Sequence, residues 1–240
     1  MKEKNNFLTG IIDGIPIGLG YISVAFAFGI FATGAGLSVV EAVMISALNV
    51  TSAGQLAAVP IIAAHGGFLE LALTQFIINL RYALMSISLS QKCDETVRLR
   101  DRFFISFGNT DEVFAVASSK KAGVGRAYLY GLIVAPILGW TLGTLLGAVA
   151  GDILPDVVTS ALGIAIYAML VAVVVPKAKT DINCALCVLL SIALSCVFYF
   201  VPFLQSVPSG FSIIICATVA SVIFAVLKPV PDEEEVAENA

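Results

Sequence analysis

Long uncharged runs, separated by short charged punctuation, dominate the pattern of this chain. Residues 14–40, 42–69, 127–151, 157–176 and 182–227 contain no Asp, Glu, Lys or Arg. A helix needs about 20 apolar residues to cross a bilayer. The last run is long enough for two, with Val201-Pro202 and Pro208-Ser209-Gly210 supplying the turn between them. The pattern predicts long helices near 12–33, 38–63, 67–90, 124–150, 157–176, 182–201 and 210–227. The predicted fold class is an all-α polytopic membrane protein of about 6–8 transmembrane helices. Residues 1–231 form the membrane domain, and 232–240 read as an acidic disordered tail.

Two stretches break the pattern. Residues 49–55, Asn-Val-Thr-Ser-Ala-Gly-Gln, put small and polar side chains at mid-helix depth. Non-helical backbone at that depth is tolerated only against protein or a water-filled cavity. The stretch is therefore either a broken or re-entrant segment, or a helix whose Ser46, Asn49 and Ser52 bond to neighbours. The second stretch, 103–118, is too apolar for a free loop and too short and charged for an ordinary span.

Basic residues sharpen the second problem, because they favour the cytoplasmic side. Lys2 and Lys4, then Lys120, Lys121 and Arg126, then Lys177 and Lys179, then Lys228 alternate with Asp152 and Asp156, which puts both ends of the chain inside. Three spans before Lys92–Arg102 would put that basic stretch outside. Parity returns if 103–118 crosses as a short helix, or if an earlier segment is re-entrant.

Glycine spacing marks packing faces. Gly139, Gly143, Gly147 and Gly151 recur every four residues, as do Gly10, Gly14 and Gly18, and each stripe has a proline close by, Pro136 and Pro16. Such stripes let helices approach closely. Their parallel also hints at an internal repeat of the kind secondary transporters use.

Composition agrees with the membrane setting: 59% hydrophobic, 12% charged, mean hydropathy +0.98. The formal charge of −4 is dominated by the tail residues Asp232, Glu233, Glu234, Glu235 and Glu238, outside which 13 basic residues meet 12 acidic ones. Nothing in this balance suggests nucleic-acid binding. Cys184-Ala-Leu-Cys187 has redox spacing, but it lies in an apolar helix with no histidine near, and small apolar filling explains it better. The lysines at the N-terminus fit a signal peptide, but Asp13-Gly14-Ile15-Pro16 interrupts its apolar region, so this is read as a retained first span. With one histidine in the chain, no zinc-ligand helix and no phosphate-binding loop, the sequence predicts no enzyme, metal site or cofactor.

Arg81 is the outstanding candidate for function. A guanidinium at mid-membrane costs about 2.5–3.5 kcal/mol on insertion scales, so it needs a partner, a wet cavity or a ligand. Thr74, Arg81 and Ser88 fall in line along the third segment, with Gln75, Asn79, Tyr82 and Ser86 beside them. Two readings of Arg81 stand. Asp13, Asp111 or Glu112 neutralises it within the protein, or it grips the carboxylate of a substrate with its planar fork. Thr110-Asp111-Glu112 is itself double-edged. Adjacent carboxylates in an apolar piece suit proton exchange, while the same three residues can simply cap a helix. Asp13 could likewise be a cap before Pro16.

At these residues the chain resembles a known family. Gly14-Ile15-Pro16-Ile17-Gly18, Ser52-Ala53-Gly54-Gln55, Asn79-Leu80-Arg81-Tyr82 and Thr110-Asp111-Glu112 look like the AzlC family, large subunits of bacterial branched-chain amino acid exporters. This chain has Leu56 where many members have phenylalanine, and Tyr82 where many have histidine. The resemblance implies export of leucine, isoleucine, valine and related amino acids, with a small AzlD-like membrane subunit as partner.

The reading is an inner-membrane transport subunit in the lipid bilayer, exporting branched-chain and related apolar amino acids on the proton gradient, with its C-terminus cytoplasmic. Arg81 would hold the substrate carboxylate, with Asn79, Gln55, Ser52 and Tyr82 around it. Asp111, Glu112 and Asp13 are the candidates for the coupling proton. The competing reading is a non-transporting scaffold or receptor subunit whose Arg81 network only holds helices together.

Overall fold

The computed structural model describes residues 5–228, apart from 121, 152–153, 156, 158–170, 172–173 and 176–177. Most of the predicted 157–176 helix, and the acidic tail, lie outside the described residues. The described residues form nine α-helices: α1 (Phe7–Gly34), α2 (Val39–Leu48), α3 (Ala53–Ala63), α4 (Phe68–Lys92), α5 (Leu99–Phe107), α6 (Asp111–Ser119), α7 (Arg126–Ala150), α8 (Ile182–Phe200) and α9 (Ser209–Leu227). Five of them, α1, α4, α7, α8 and α9, are long and apolar enough to cross a membrane. The protein is an all-α polytopic membrane protein.

The first helix starts earlier than its hydropathy predicts, because Asn6 caps it by accepting the Thr9 N–H at 2.9 Å. The two glycine stripes pack α1 and α7 directly on each other. A methyl placed on Gly14 would lie 2.5 Å from the Leu132 carbonyl oxygen, and one on Gly147 would lie 1.9 Å from that of Phe26. With Gly10 against Tyr128 and Gly29 against Thr144, the two helices run parallel along their whole length. Only glycine admits this approach of backbone to backbone.

The predicted 38–63 helix is two helices. Ser38 and Glu41 form a reciprocal cap that starts α2, which stops at Leu48. Ser52 then adopts φ +51°, a left-handed conformation uncommon for a side chain with a Cβ, and α3 begins after it. The 103–118 stretch is also two pieces, α5 and α6. Gly108 closes α5 and Thr110 caps α6 by accepting the Val113 N–H.

Contacts between chain ends fix the direction of each hairpin. The Asn5 amide donates to Asp94 and to the Gly123 carbonyl. Lys92 and Asp94 pair through their backbones with Val124, and the Lys92 ammonium reaches the Ser118 carbonyl. The start of α1 and α7 and the end of α4 and α6 therefore share one end of the bundle. At the other end Thr33 meets Gly151, while Glu70 meets Gly66 and accepts the Gly210 N–H at 2.9 Å. So α2–α3 enters from that far end and returns to it, and α5–α6 does the same from the near end. Neither pair crosses. Of the two ways to restore parity, the fold uses a re-entrant earlier segment, and 103–118 folds back rather than crossing as a short helix. Lys92, Arg98, Arg100, Arg102, Lys120 and Arg126 thereby gather at the end where α1 begins.

Candidate functional site

The two hairpin tips meet midway along the bundle, and a cavity of about 660 Å³ opens between them. One wall comes from α1 through Pro16, Ile17, Gly20, Tyr21 and Val24. The α2–α3 tip contributes Val50, Thr51, Ser52 and Ala53, α4 contributes Arg81 and Tyr82, and the α5–α6 tip contributes Thr110, Asp111 and Glu112. Trp140 of α7 forms part of the floor, and Val174 also reaches the cavity.

Polar groups cluster on one side of this space. Arg81 Nη1 lies 2.7 Å from Asp111 Oδ2, with the two side chains 42% and 45% exposed, so the pair faces open space. Its other terminal nitrogen donates to the Tyr82 hydroxyl at 3.0 Å. That hydroxyl lies 3.4 Å from the Thr51 carbonyl, toward which its O–H points. Tyr21 bonds to both Thr110 Oγ1, at 2.7 Å, and the Glu112 carboxylate, and stacks edge-on against Trp140. The remaining walls are apolar.

The arrangement sorts the candidate residues. Arg81, Tyr82, Ser52, Asp111 and Glu112 line the cavity together. Gln55 does not. It is fully buried, where its Oε1 accepts from Trp140 Nε1 at 2.8 Å and from the Ser52 N–H, while its Nε2 donates to Ser46 Oγ. Ser46 continues to Thr144 of α7 at 2.6 Å. Asn79 also lies behind the cavity wall, donating to Gln75 Oε1 at 3.1 Å, and Gln75 in turn donates to the Gly54 carbonyl. Asp13 is elsewhere, 2.9 Å from the Lys120 ammonium and 2.8 Å from the Tyr128 hydroxyl, at the basic end. Of the three acids that could have neutralised Arg81, Asp111 does so.

Tyr21 and Trp140 belong to the site and carry no sequence motif. Their signal is weaker: each is a polar-tipped aromatic at mid-span, and such tips take a hydrogen-bond partner when buried.

The family described as AzlC protein matches residues 16–154, which include every described cavity residue except Val174. The inner membrane protein YgaZ of Escherichia coli (strain K12) is 36% identical over 114 residues, 48% of this chain and 46% of that protein. An uncharacterized membrane protein of Archaeoglobus fulgidus is 35% identical over 140 residues, 58% of this chain and 60% of that protein. The chain thus spans about half the length of the curated relatives it matches. No solved structure matches it. With the match covering more than half of its residues and the motif-bearing helices folded around one cavity, the chain belongs to the AzlC family of membrane proteins.

Proposed function

We propose that this protein is the substrate-binding subunit of an exporter for branched-chain and related apolar amino acids, driven by the proton gradient and assembled with a small membrane partner. The observation that carries the reading is the polarity of the cavity: one cation and two carboxylates on one side, apolar surface elsewhere. Its volume falls within the range of small-molecule sites, roughly 300–1,000 Å³.

An amino acid fits such a site end-on. Asp111 keeps Arg81 Nη1, and the substrate carboxylate takes Nη2 in place of the Tyr82 hydroxyl, using the planar fork that makes arginine suited to two acceptors. The substrate ammonium turns toward Glu112. Ile17, Val24, Val50 and Trp140 receive the side chain.

Coupling follows from Glu112 serving two mutually exclusive ligands. Its carboxylate faces the same space as Asp111 and Arg81, and the substrate ammonium and the coupling proton compete for it. Substrate and proton then travel in opposite directions, which is what export against a proton gradient requires.

The test is leucine efflux by Arg81→Lys and Arg81→Ala, measured beside their melting temperatures. Both should lose efflux while remaining inserted and folded, because lysine is a point donor that does not grip two acceptors in one plane. Native efflux by Arg81→Lys would refute the carboxylate role. Loss of folding by both variants would favour the scaffold reading instead.

A further inference from the structure

The basic end of the bundle carries a cavity of its own, of about 520 Å³. Arg98, the residue that precedes α5, and Arg126, the first of α7, line it together with Asn5, Asp94, Glu95 and Thr96. Most of its hydrogen-bonding groups are already satisfied. Asp94 accepts the Asn5 amide at 3.2 Å on one oxygen and the Thr96 N–H and hydroxyl on the other. The Gly125 and Arg126 N–H groups donate to Asn5 and Thr96. Asp101, buried on α5, accepts the Arg98 N–H at 3.0 Å and the Tyr130 hydroxyl at 3.1 Å. The guanidinium groups are left over. The ion pairs among the described residues are Arg81 with Asp111 and Lys120 with Asp13. Arg98, Arg100, Arg102 and Arg126 are all exposed and pair with no carboxylate among those residues.

An apolar track leads from this cluster into the membrane. Leu99, Phe103 and Phe107 stand at i, i+4 and i+8 of α5, on one face, and are 85%, 76% and 44% exposed. Arg100 and Arg102 flank that stripe on its two sides in the first turn, and arginine stems are long enough to carry the charge back to headgroup level. The helix enters from the basic end and has nine residues, which is about 14 Å at 1.5 Å per residue. One leaflet's share of the hydrocarbon core is about 15 Å. The stripe therefore has the depth of one acyl chain, with unpaired cations at its mouth.

We propose that an anionic phospholipid binds here. Arg98 and Arg126 take its phosphate at the cavity, Arg100 and Arg102 keep the surroundings positive, and an acyl chain lies along Leu99, Phe103 and Phe107. Basic groups between membrane helices at an interface are suited to such headgroups. A soluble anion would engage the arginines but not the stripe. A zwitterionic lipid would engage the stripe but brings its own cation to a site that already has several. An anionic lipid engages both. Glu95 opposes it: exposed and bonded to no described residue, this carboxylate repels the phosphate. The site is independent of what the central cavity transports.

The test uses the full chain in detergent, with dioleoyl phosphatidylglycerol and dioleoyl phosphatidylcholine as probes and native mass spectrometry to read the lipid retained. Phosphatidylglycerol should be held roughly tenfold or more tighter and should raise the melting temperature, and added salt should shrink the difference. Equal retention of the two lipids would overturn the site. Glycerol 3-phosphate and inorganic phosphate should leave the melting temperature unchanged, and a shift by either that matches phosphatidylglycerol would overturn the lipid in favour of a soluble anion. Arg98→Gln with Arg126→Gln should weaken phosphatidylglycerol by roughly fivefold per arginine. Lys228→Gln, at the end of α9 and outside the cluster, should leave the preference unchanged, and an equal loss there would reduce the effect to general surface charge and overturn the site. Phe103→Ala with Phe107→Ala should weaken both lipids alike, and unaltered retention would remove the stripe from the site. Glu95→Gln should strengthen phosphatidylglycerol binding, a gain that a damaged fold does not give, so unchanged or weaker retention by that variant would also overturn the site.

Discussion

Replacing Gln55 separates a ligand contact from a structural one. Gln55→Met keeps the length of the side chain and removes its three bonds, to Trp140 Nε1, the Ser52 N–H and Ser46 Oγ. Ser46 retains Thr144, so the loss falls mainly on Trp140, which is 3% exposed. Hydrogen bonds between membrane helices average about 0.6 kcal/mol and reach about 1.7, so three of them give roughly 2–5 kcal/mol. For a chain of this size each kcal/mol shifts the melting temperature by about 2–4 °C, which predicts a fall on the order of 4–20 °C in detergent. A double-mutant cycle with Trp140→Phe isolates the pair, and its two members should couple by more than about 0.5 kcal/mol. Leucine affinity should weaken only as far as the fold loosens. The reasoning fails if Gln55→Met melts like wild type and loses leucine binding, because Gln55 would then be touching substrate.

Three further outcomes are expected. Gly147→Ala should cost about 1–3 kcal/mol through overpacking, because its methyl would sit 1.9 Å from the Phe26 carbonyl, whereas Gly34→Ala, with nothing within 4 Å, should melt within a degree or two of wild type. Residues 35–38 and 64–67 should both face away from the cytoplasm, with 94–97 inside and the end of the chain inside as well. Charged thiol reagents on Ala35→Cys, Ala64→Cys and Glu95→Cys, with a reporter fused after Ala240, read this directly, and opposite labelling of Ala35→Cys and Ala64→Cys would refute the α2–α3 hairpin. Leucine, isoleucine, valine and methionine should compete for efflux, since one methylene changes binding in an apolar pocket by only about 1–3 kcal/mol. Glutamate and lysine should not compete, because a second charge would lie unpaired in the apolar wall.

Local pattern reached the helices and missed much of their pairing. Hydropathy alone predicts α1, α4, α7, α8 and α9, and the glycine stripes predict a close-packed face because backbone approach leaves a mark in each helix separately. The break before α3 was also legible, as a polar run at the wrong depth. The α5–α6 turn was legible in principle, since Gly108-Asn109-Thr110 joins a helix-closing glycine to a capping threonine, but the high apolar content of its flanks masked it. Gln55 reads from the sequence as a substrate neighbour of Arg81, and Asp13 as a candidate for the coupling proton. Gln55 also bonds to Ser52 and Ser46, three and nine residues away, but Trp140, Tyr128 and Lys120 lie 85 or more residues away, and only the tertiary structure selects them.

The hairpins also explain why α4 carries the polar face. A helix tip ending inside a membrane leaves backbone groups unpaired, and such ends persist only against protein or water. The far-end hairpin is tied to α4 through Gln75, which donates to the Gly54 carbonyl, and Tyr82, which points at that of Thr51. The near-end hairpin is tied to the same helix through Arg81 and Asp111, and through Asn109 and Ser86. Arg81 and Tyr82 are neighbours and bond to each other, so the two tips are linked by one short chain of contacts: Thr51, Tyr82, Arg81, Asp111. A carboxylate that takes the Tyr82 hydroxyl's place on Arg81 breaks that chain at its middle. The far-end tip still keeps Tyr82, whose O–H points at the Thr51 carbonyl, with Gln75 and Asn49 beside it, and the near-end tip keeps both of its ties. Under the proposed function, occupancy of the site therefore uncouples the two tips from each other without releasing either from α4, because the one bond the substrate replaces is the bond between the Arg81 that holds the near-end tip and the Tyr82 that holds the far-end one.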